Sequence, residues 1–290
     1  MSATVKKTTP AGASTVRLSS VRVMVGGCLV DGRSLCLLPS DRHHRYRPRS
    51  SYPSPQPTSH LAMTAAYFTP HTFSFLSDLA ANNNREWFLA NKSRYEADVK
   101  EPALRFISDF SMPLEGMSPH FRADPRANGG SLFRIYRDTR FSRDKTPYKT
   151  ATGIQFRHEA GRDAHAPGFY LHIQPGDCFM GCGSWRPGGP ALRKIRESID
   201  EDPQAWKRAS RGARFRGTFE LSGDSLIRAP QGFRVDHPLI EDLRRKDFIA
   251  VAQLSEDDLM SDDFLDRFTA LCRTAAPFQR WLCRATGVSY

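Results

Sequence analysis

The sequence predicts an α+β fold: a mostly antiparallel, twisted sheet with helices packed before and after it. Three observations carry this expectation. The apolar period is helical between residues 69 and 110, changes to two between residues 131 and 185, and turns helical again afterwards. The order helices, strands, helices, strand, helices suits a segregated fold better than a doubly wound one. The strands beginning at residues 168 and 178 are separated by PGD, a hairpin turn signal.

Thr69 can cap a first helix and Pro70 suits its first turn, with Phe73, Leu76, Leu79 and Ala80 as its apolar stripe. Asn82–Asn84 breaks it. A second helix starts near Arg85 with Trp87, Phe88, Tyr95 and Val99, and Pro102 should end or kink it. A third, short helix covers ALRFISDF, and a loop rich in proline and glycine runs to Gly130.

Four strands are then expected in SLFRIYRD, ATGIQFRHE, GFYLHIQ and CFMGCGSW. Helices follow in GPALRKIRESIDED and PQAWKRAS, and weaker strands in RFRGTFEL and SLIRAP. LIEDLRRK reads as helical turns and DFIAVAQL as a strand. SDDFLDRFTALCRTAAPFQRWLCRA is an amphipathic helix with a break expected at Pro277. Trp87, Trp206 and Trp281 fall on helical stripes, as core residues do.

The net charge of +11 is unevenly placed. Residues 1–62 hold nine Lys/Arg and two Asp, leaving 33 bases and 29 acids, a net of +4, for residues 63–290. The excess therefore belongs to a basic tail rich in Ser, Pro and Arg, without sustained period and expected to be disordered. Met63 is a candidate natural start, which would make the tail an over-extended gene start; a targeting peptide is the rival reading. Residues 63–290 form a single expected α+β domain. No run of about 18 apolar residues occurs, so no membrane partner is expected.

Six cysteines make no zinc-finger pair. Cys178 and Cys182 would share a strand face about 13 Å apart, too far for a disulfide. Buried free thiols in a reducing, cytoplasmic compartment are the expectation. No spacing argues for a metal, and no cofactor is assigned.

Residues 133–150, FRIYRDTRFSRDKTPYKT, hold six cationic side chains, two aspartates and four aromatic rings. Side chains alternate across a strand. Parity puts Phe133, Ile135 and Arg137 on the apolar side, with Ile154, Phe156, Phe169, Leu171 and Ile173. The other face collects Arg134, Tyr136, Asp138, Gln155, Arg157, Tyr170 and His172. A guanidinium at Arg137 on the apolar side needs an acid from elsewhere in the fold or a bound anion. Asp144 can build an Asx turn, and Pro147 fixes a bend before Tyr148. Arg140 and Lys145 lie near that bend. They could converge on phosphate or carboxylate oxygens, or join an ion-pair network centred on Asp144.

Arg134, Arg137, Asp138, Arg140, Phe141, Asp144, Lys145 and Tyr148 together resemble the motif of a bacterial and fungal family, domain of unknown function 2461. NNNREWFLANKSRYEADV before the motif, and GFYLHIQPGDCFMGCGSW and VDHPLIEDLRRKDF after it, extend the resemblance to about residues 67–285. It implies a fold and a motif, with no established activity.

His237, in VDHP, is a candidate general base because histidine titrates near neutral pH; a helix-entry turn is the plainer reading. GCGSWRPGG precedes a helix, where its amides could face an anion. Three functions follow. The first is an anionic small ligand held by Arg134, Arg137, Arg140 and Lys145, with Tyr148, Tyr170 and His172 beside them and Asp138 or Asp144 as orienting groups or bases. The second is nucleic-acid binding on the sheet's rings. The third is a scaffold whose motif is an internal ion-pair network.

Overall fold

A computed structural model describes residues 66–161 and 166–290. The basic tail, Met63, Cys28 and Cys36 lie outside the described residues. α1 (Pro70–Ala81) starts after an extended Thr69, whose N–H donates to Thr72 Oγ1 at 3.2 Å. Thr72, Phe73, Phe75, Leu76 and Leu79 are buried, while Ala80, expected in the stripe, is exposed. Asn84 caps α2 (Arg85–Ala90) by accepting from the Trp87 amide.

The next helical run does not end at Pro102. α3 (Lys92–Tyr95) passes through a π turn, Glu96–Lys100, into α4 (Glu101–Glu115). The wider turn lies just ahead of a proline in the first turn of α4, where its missing N–H costs little. α4 is longer than ALRFISDF because Phe106, Ile107, Phe110 and Leu114 keep one buried stripe going.

β1 (Thr152–Arg157), β2 (Gly168–Ile173) and β3 (Cys178–Ser184) lie where alternation put them. Gly176, with φ +75°, makes the β2–β3 turn. α5 (Gly189–Glu201) and α6 (Pro203–Arg211) follow. RFRGTFEL becomes α7 (Ala213–Arg216) and a short β4 (Glu220–Ser222). Phe215 and Phe219 stack at helical spacing, centroids 5.2 Å apart, which overrides the alternation. SLIRAP is not a strand; its Ser225 makes an isolated bridge to Arg245. After α8 (Ile240–Leu243) and β5 (Phe248–Leu254) come α9 (Glu256–Met260) and α10 (Phe264–Thr286).

The expected break at Pro277 is absent: α10 is continuous. Phe268, Cys272 and Ala275 before the proline, and Phe278 and Leu282 after it, are all buried. That burial outweighs the roughly 3 kcal/mol an internal proline costs. Gly287, at φ +82°, closes the helix in the left-handed region, and Val288 donates back to Cys283.

The sheet is antiparallel throughout, in the order β1-β2-β3-β5-β4. One face is the core. There Ile154, Phe156, Phe169, Leu171, Ile173, Met180 and Cys182 are buried, and rings of α4 and α10 (Phe106, Phe110, Phe268) pack on Phe156.

SLFRIYRD is a correction. It touches the sheet through an isolated bridge, Leu132 to Ile154, pairs Tyr136 with Tyr148 outside the sheet, and is no regular strand. Leu132 and Ile135 are both buried, three residues apart, so the segment bends and parity fails along it. Phe133, expected in the core, lies on the opposite face, 6.1 Å from the Tyr170 ring.

Candidate functional site

The motif forms a hairpin closed by the Tyr136–Tyr148 bridge, with Arg137 N donating to Pro147 O at 2.9 Å and Lys149 N to Ile135 O at 2.7 Å. Its charges meet one another. Arg137 Nη1 donates to Asp144 Oδ2 and to Thr146 Oγ1. Asp144 Oδ1 accepts from the Thr146 amide at 2.9 Å, the expected Asx turn. Asp138 accepts from Arg140 Nε at 3.0 Å and Nη2 at 2.7 Å. Lys145 Nζ donates to the Thr139 carbonyl at 2.8 Å. Arg134 is exposed, and its charge also acts on Asp138.

Asp138 is held down to about 2, chiefly by the Arg140 hydrogen bond; Asp144 falls to about 2 through Arg137 and then Thr146. Carboxylates that acidic are poor bases near neutral pH. Both are depressed below the ordinary value near 3.9, so their stabilising contribution is complete above about pH 4 and is lost as pH falls through about 2. A carbon-detected NMR titration should give both carboxyls midpoints near 2; a midpoint near 4 for either would remove its ion pair.

Tyr148 serves as an anchor. Its ring stacks on Phe88 at 4.1 Å and 22°, and Asn83 clamps its backbone with bonds of 3.0 and 3.1 Å. The motif hairpin is thereby tied to the turn between α1 and α2.

The outward face of the sheet is a different environment. Register places Gln155 opposite Tyr170, Tyr170 opposite Gly181, and His172 opposite Phe179. Tyr170 OH and His172 Nδ1 are 3.0 Å apart, His172 Nε2 and Gln174 Oε1 3.4 Å, and His172 stacks on Phe179 at 4.7 Å. Burial pushes the His172 pKa down, so the ring is neutral at pH 7. With Nε2–H toward Gln174, its Nδ1 accepts the tyrosine proton. Gly153 makes room for this pair, since a Cβ there would stand 2.6 Å from Tyr170 OH and 2.9 Å from Phe133.

Two hollows adjoin on this face. A cavity of about 60 Å³ is lined by Phe133, Tyr170, Phe179, Trp185, Gly181 and Gln155, among others. A polar groove of about 480 Å³ is lined by Arg122, Asp124, Arg126, Ser131, Gln155, Arg157 and Glu159, among others. Gln155 borders both. It is nine-tenths buried and forms part of the wall of each.

In the groove Arg126 pairs with Asp124 (Nη2–Oδ2 2.5 Å) and Arg122 with Glu159. Asp124 lies below its usual pKa because of the Arg126 hydrogen bond, with a smaller through-space contribution from Arg157. Arg157, half-buried at the end of β1, has no ion-pair partner within 4 Å among the described residues.

The expected site residues thus fall into separate places. Arg134, Arg137, Asp138, Arg140, Asp144, Lys145 and Tyr148 form the hairpin, and Tyr170 and His172 stand on the sheet. His237 is elsewhere, with Nε2 3.2 Å from Asp200 and Nδ1 accepting from Leu239 N at 3.0 Å, at the entry to α8. Arg122, Arg126 and the outward-facing Phe133 were not foreseen. The FRADPRANGG stretch has no period to assign a face, although its two arginines around Asp124 are a visible charge cluster. Among the described residues no three His, Cys, Asp or Glu side chains are grouped to hold a metal, and no helix is long and apolar enough to cross a membrane.

Fold and site together define an α+β protein with one sheet face packed by helices and the other carrying a ring-lined hollow. Residues 71–281 match the family described as conserved hypothetical protein (DUF2461), and the chain belongs to that family. No curated protein and no solved structure matches the chain.

Proposed function

We propose that this protein binds a small anionic molecule, phosphate- or carboxylate-bearing, and that the anion lies in the groove beside Arg157. The hairpin cations are the less favoured place, because Arg137, Arg140 and Lys145 already meet Asp144, Asp138 and the Thr139 carbonyl. The observation that carries the reading is Arg157: a half-buried arginine with no ion-pair partner within 4 Å among the described residues, beside a hollow large enough for a small ligand. On this reading the motif hairpin is structural. Its ion pairs and the Tyr148 anchor hold the segment that presents Phe133 to the sheet face. A cytoplasmic location belongs to the same proposal, since Cys178, Cys182, Cys272 and Cys283 are buried and unbridged.

Thermal-shift measurement of the full chain against phosphate, sugar phosphates and organic acids tests this. A ligand at 100 times its Kd adds about 2.7 kcal/mol of stability. Arg157→Gln should abolish the response and leave the ligand-free Tm within 2 °C or so, the scale of a surface change. Lys145→Gln should keep the response. The reverse pattern would return the anion to the hairpin, and the absence of any response would end the proposal. A nucleic-acid ligand would instead give affinity falling steeply with salt, which the net +4 of residues 63–290 does not favour.

A further inference from the structure

Resting on that anion site, we infer that the ligand also carries a single flat heteroaromatic ring, joined to the anionic group through a sugar-sized spacer. The ring's edge enters the cavity over Gly181, and Gln155 reads it.

The cavity's lining is the first argument. Tyr170, Phe179, Trp185 and Phe133 supply aromatic surface around a floor where β3 has no side chain at Gly181. Rings of this kind hold flat ligands by offset stacking and edge contacts. Gly181 itself is not required by the backbone: a Cβ there would make ordinary contacts, the nearest at 3.7 Å to Tyr170 Cβ. A strand-centre glycine without conformational need lowers sheet stability. What its missing side chain leaves is the hollow.

Gln155 is the second. The residue is nine-tenths buried, and it borders both hollows. An amide offers donors and an acceptor side by side, a match for the paired polar edge of a heterocycle.

Spacing and size supply the rest. Gln155 and Arg157 are two residues apart on one face of β1, hence about 7 Å along the strand. A ligand bridging them needs its ring edge and its anion separated by about that distance. The 60 Å³ volume is well below the roughly 150 Å³ that encloses benzene completely. The ring is therefore inserted by an edge with its remainder toward the groove, and one ring suits the slot better than two fused ones. A pyrimidine nucleoside monophosphate has this form.

The test uses the full chain with uridine 5′-monophosphate, and with uridine and ribose 5-phosphate as its two halves. Calorimetry should give the nucleotide at least 10-fold tighter binding than ribose 5-phosphate. Gly181→Leu, which fills the hollow, should reduce the nucleotide to the affinity of ribose 5-phosphate and leave ribose 5-phosphate unchanged. Gln155→Leu should lower nucleotide affinity while sparing ribose 5-phosphate, so the outcome does not depend on one variant folding. Arg157→Gln should weaken both. Equal affinities for the nucleotide and ribose 5-phosphate, indifferent to Gly181→Leu and Gln155→Leu, would overturn the ring inference and leave the anion site standing. Failure of both compounds to bind, together with no anion in the wider screen, would overturn both.

Discussion

Asp242→Ala lowers stability by about 3–5 kcal/mol, the range for removing one member of a buried ion pair. Asp242 is 3% exposed, on α8. Its Oδ2 accepts from Arg211 Nη2 at 2.5 Å, and its Oδ1 lies 3.8 Å from Arg245 Nε. Arg245 is the group left stranded. It is mostly buried, its Nε has no hydrogen-bond partner among the described residues, and desolvation pulls its pKa down against the supporting charge of Asp242. Without that carboxylate the guanidinium keeps a bond to the Ser222 carbonyl at 3.2 Å and a more distant attraction to Asp247. Arg211→Ala should cost less, because its own side chain is 41% exposed and Asp242 keeps Arg245 as a second cation. Urea unfolding ranks the two; an Asp242→Ala loss under about 1 kcal/mol would mean that Arg245 finds water or another acid.

Asp242 also marks where sequence reasoning stops. In LIEDLRRKDF it stands among alternating charges, and composition alone makes it a solvated helix residue. The available signal was helical spacing: Leu239, Asp242 and Leu243 are three and four apart, and all three are buried. By contrast β1 and β2 were legible because apolar and polar residues alternate along them, and β3 because a turn with a glycine at positive φ sets it off from β2. Alternation put Gln155, Arg157, Tyr170 and His172 on one face, and cross-strand register agrees. It failed for residues 131–138, where Leu132 and Ile135, of opposite parity, are both buried. The groove's Arg122 and Arg126 come from a loop, for which no period exists. Pro277 misled for another reason: a local rule was outweighed by apolar burial along both halves of α10.

Gly183→Ala should be the most damaging single-methyl change on the sheet, while Gly181→Ala, two residues earlier on the same strand, should be harmless or stabilising. Gly183 has φ +116°, a conformation that costs a side-chain-bearing residue about 1–3 kcal/mol. Its Cβ would also stand 2.1 Å from the Phe248 carbonyl oxygen, with Ile249 Cα and the Phe278 ring each at 3.0 Å. The first of these is backbone in the adjoining strand and cannot rotate aside, so β3 and β5 must separate locally; overpacking of that kind adds about 1–3 kcal/mol. The expected loss is about 2–6 kcal/mol in urea unfolding. At Gly181 neither condition holds, and replacing a strand glycine should return roughly 0.5–1 kcal/mol. The difference separates two reasons for glycine on one strand. At Gly183 the fold requires it; at Gly181 the fold would be firmer without it, and the hollow beneath Tyr170 and Phe179 is what the glycine preserves. Equal losses at the two positions would make Gly181 a packing requirement as well and leave the open cavity without a functional reason.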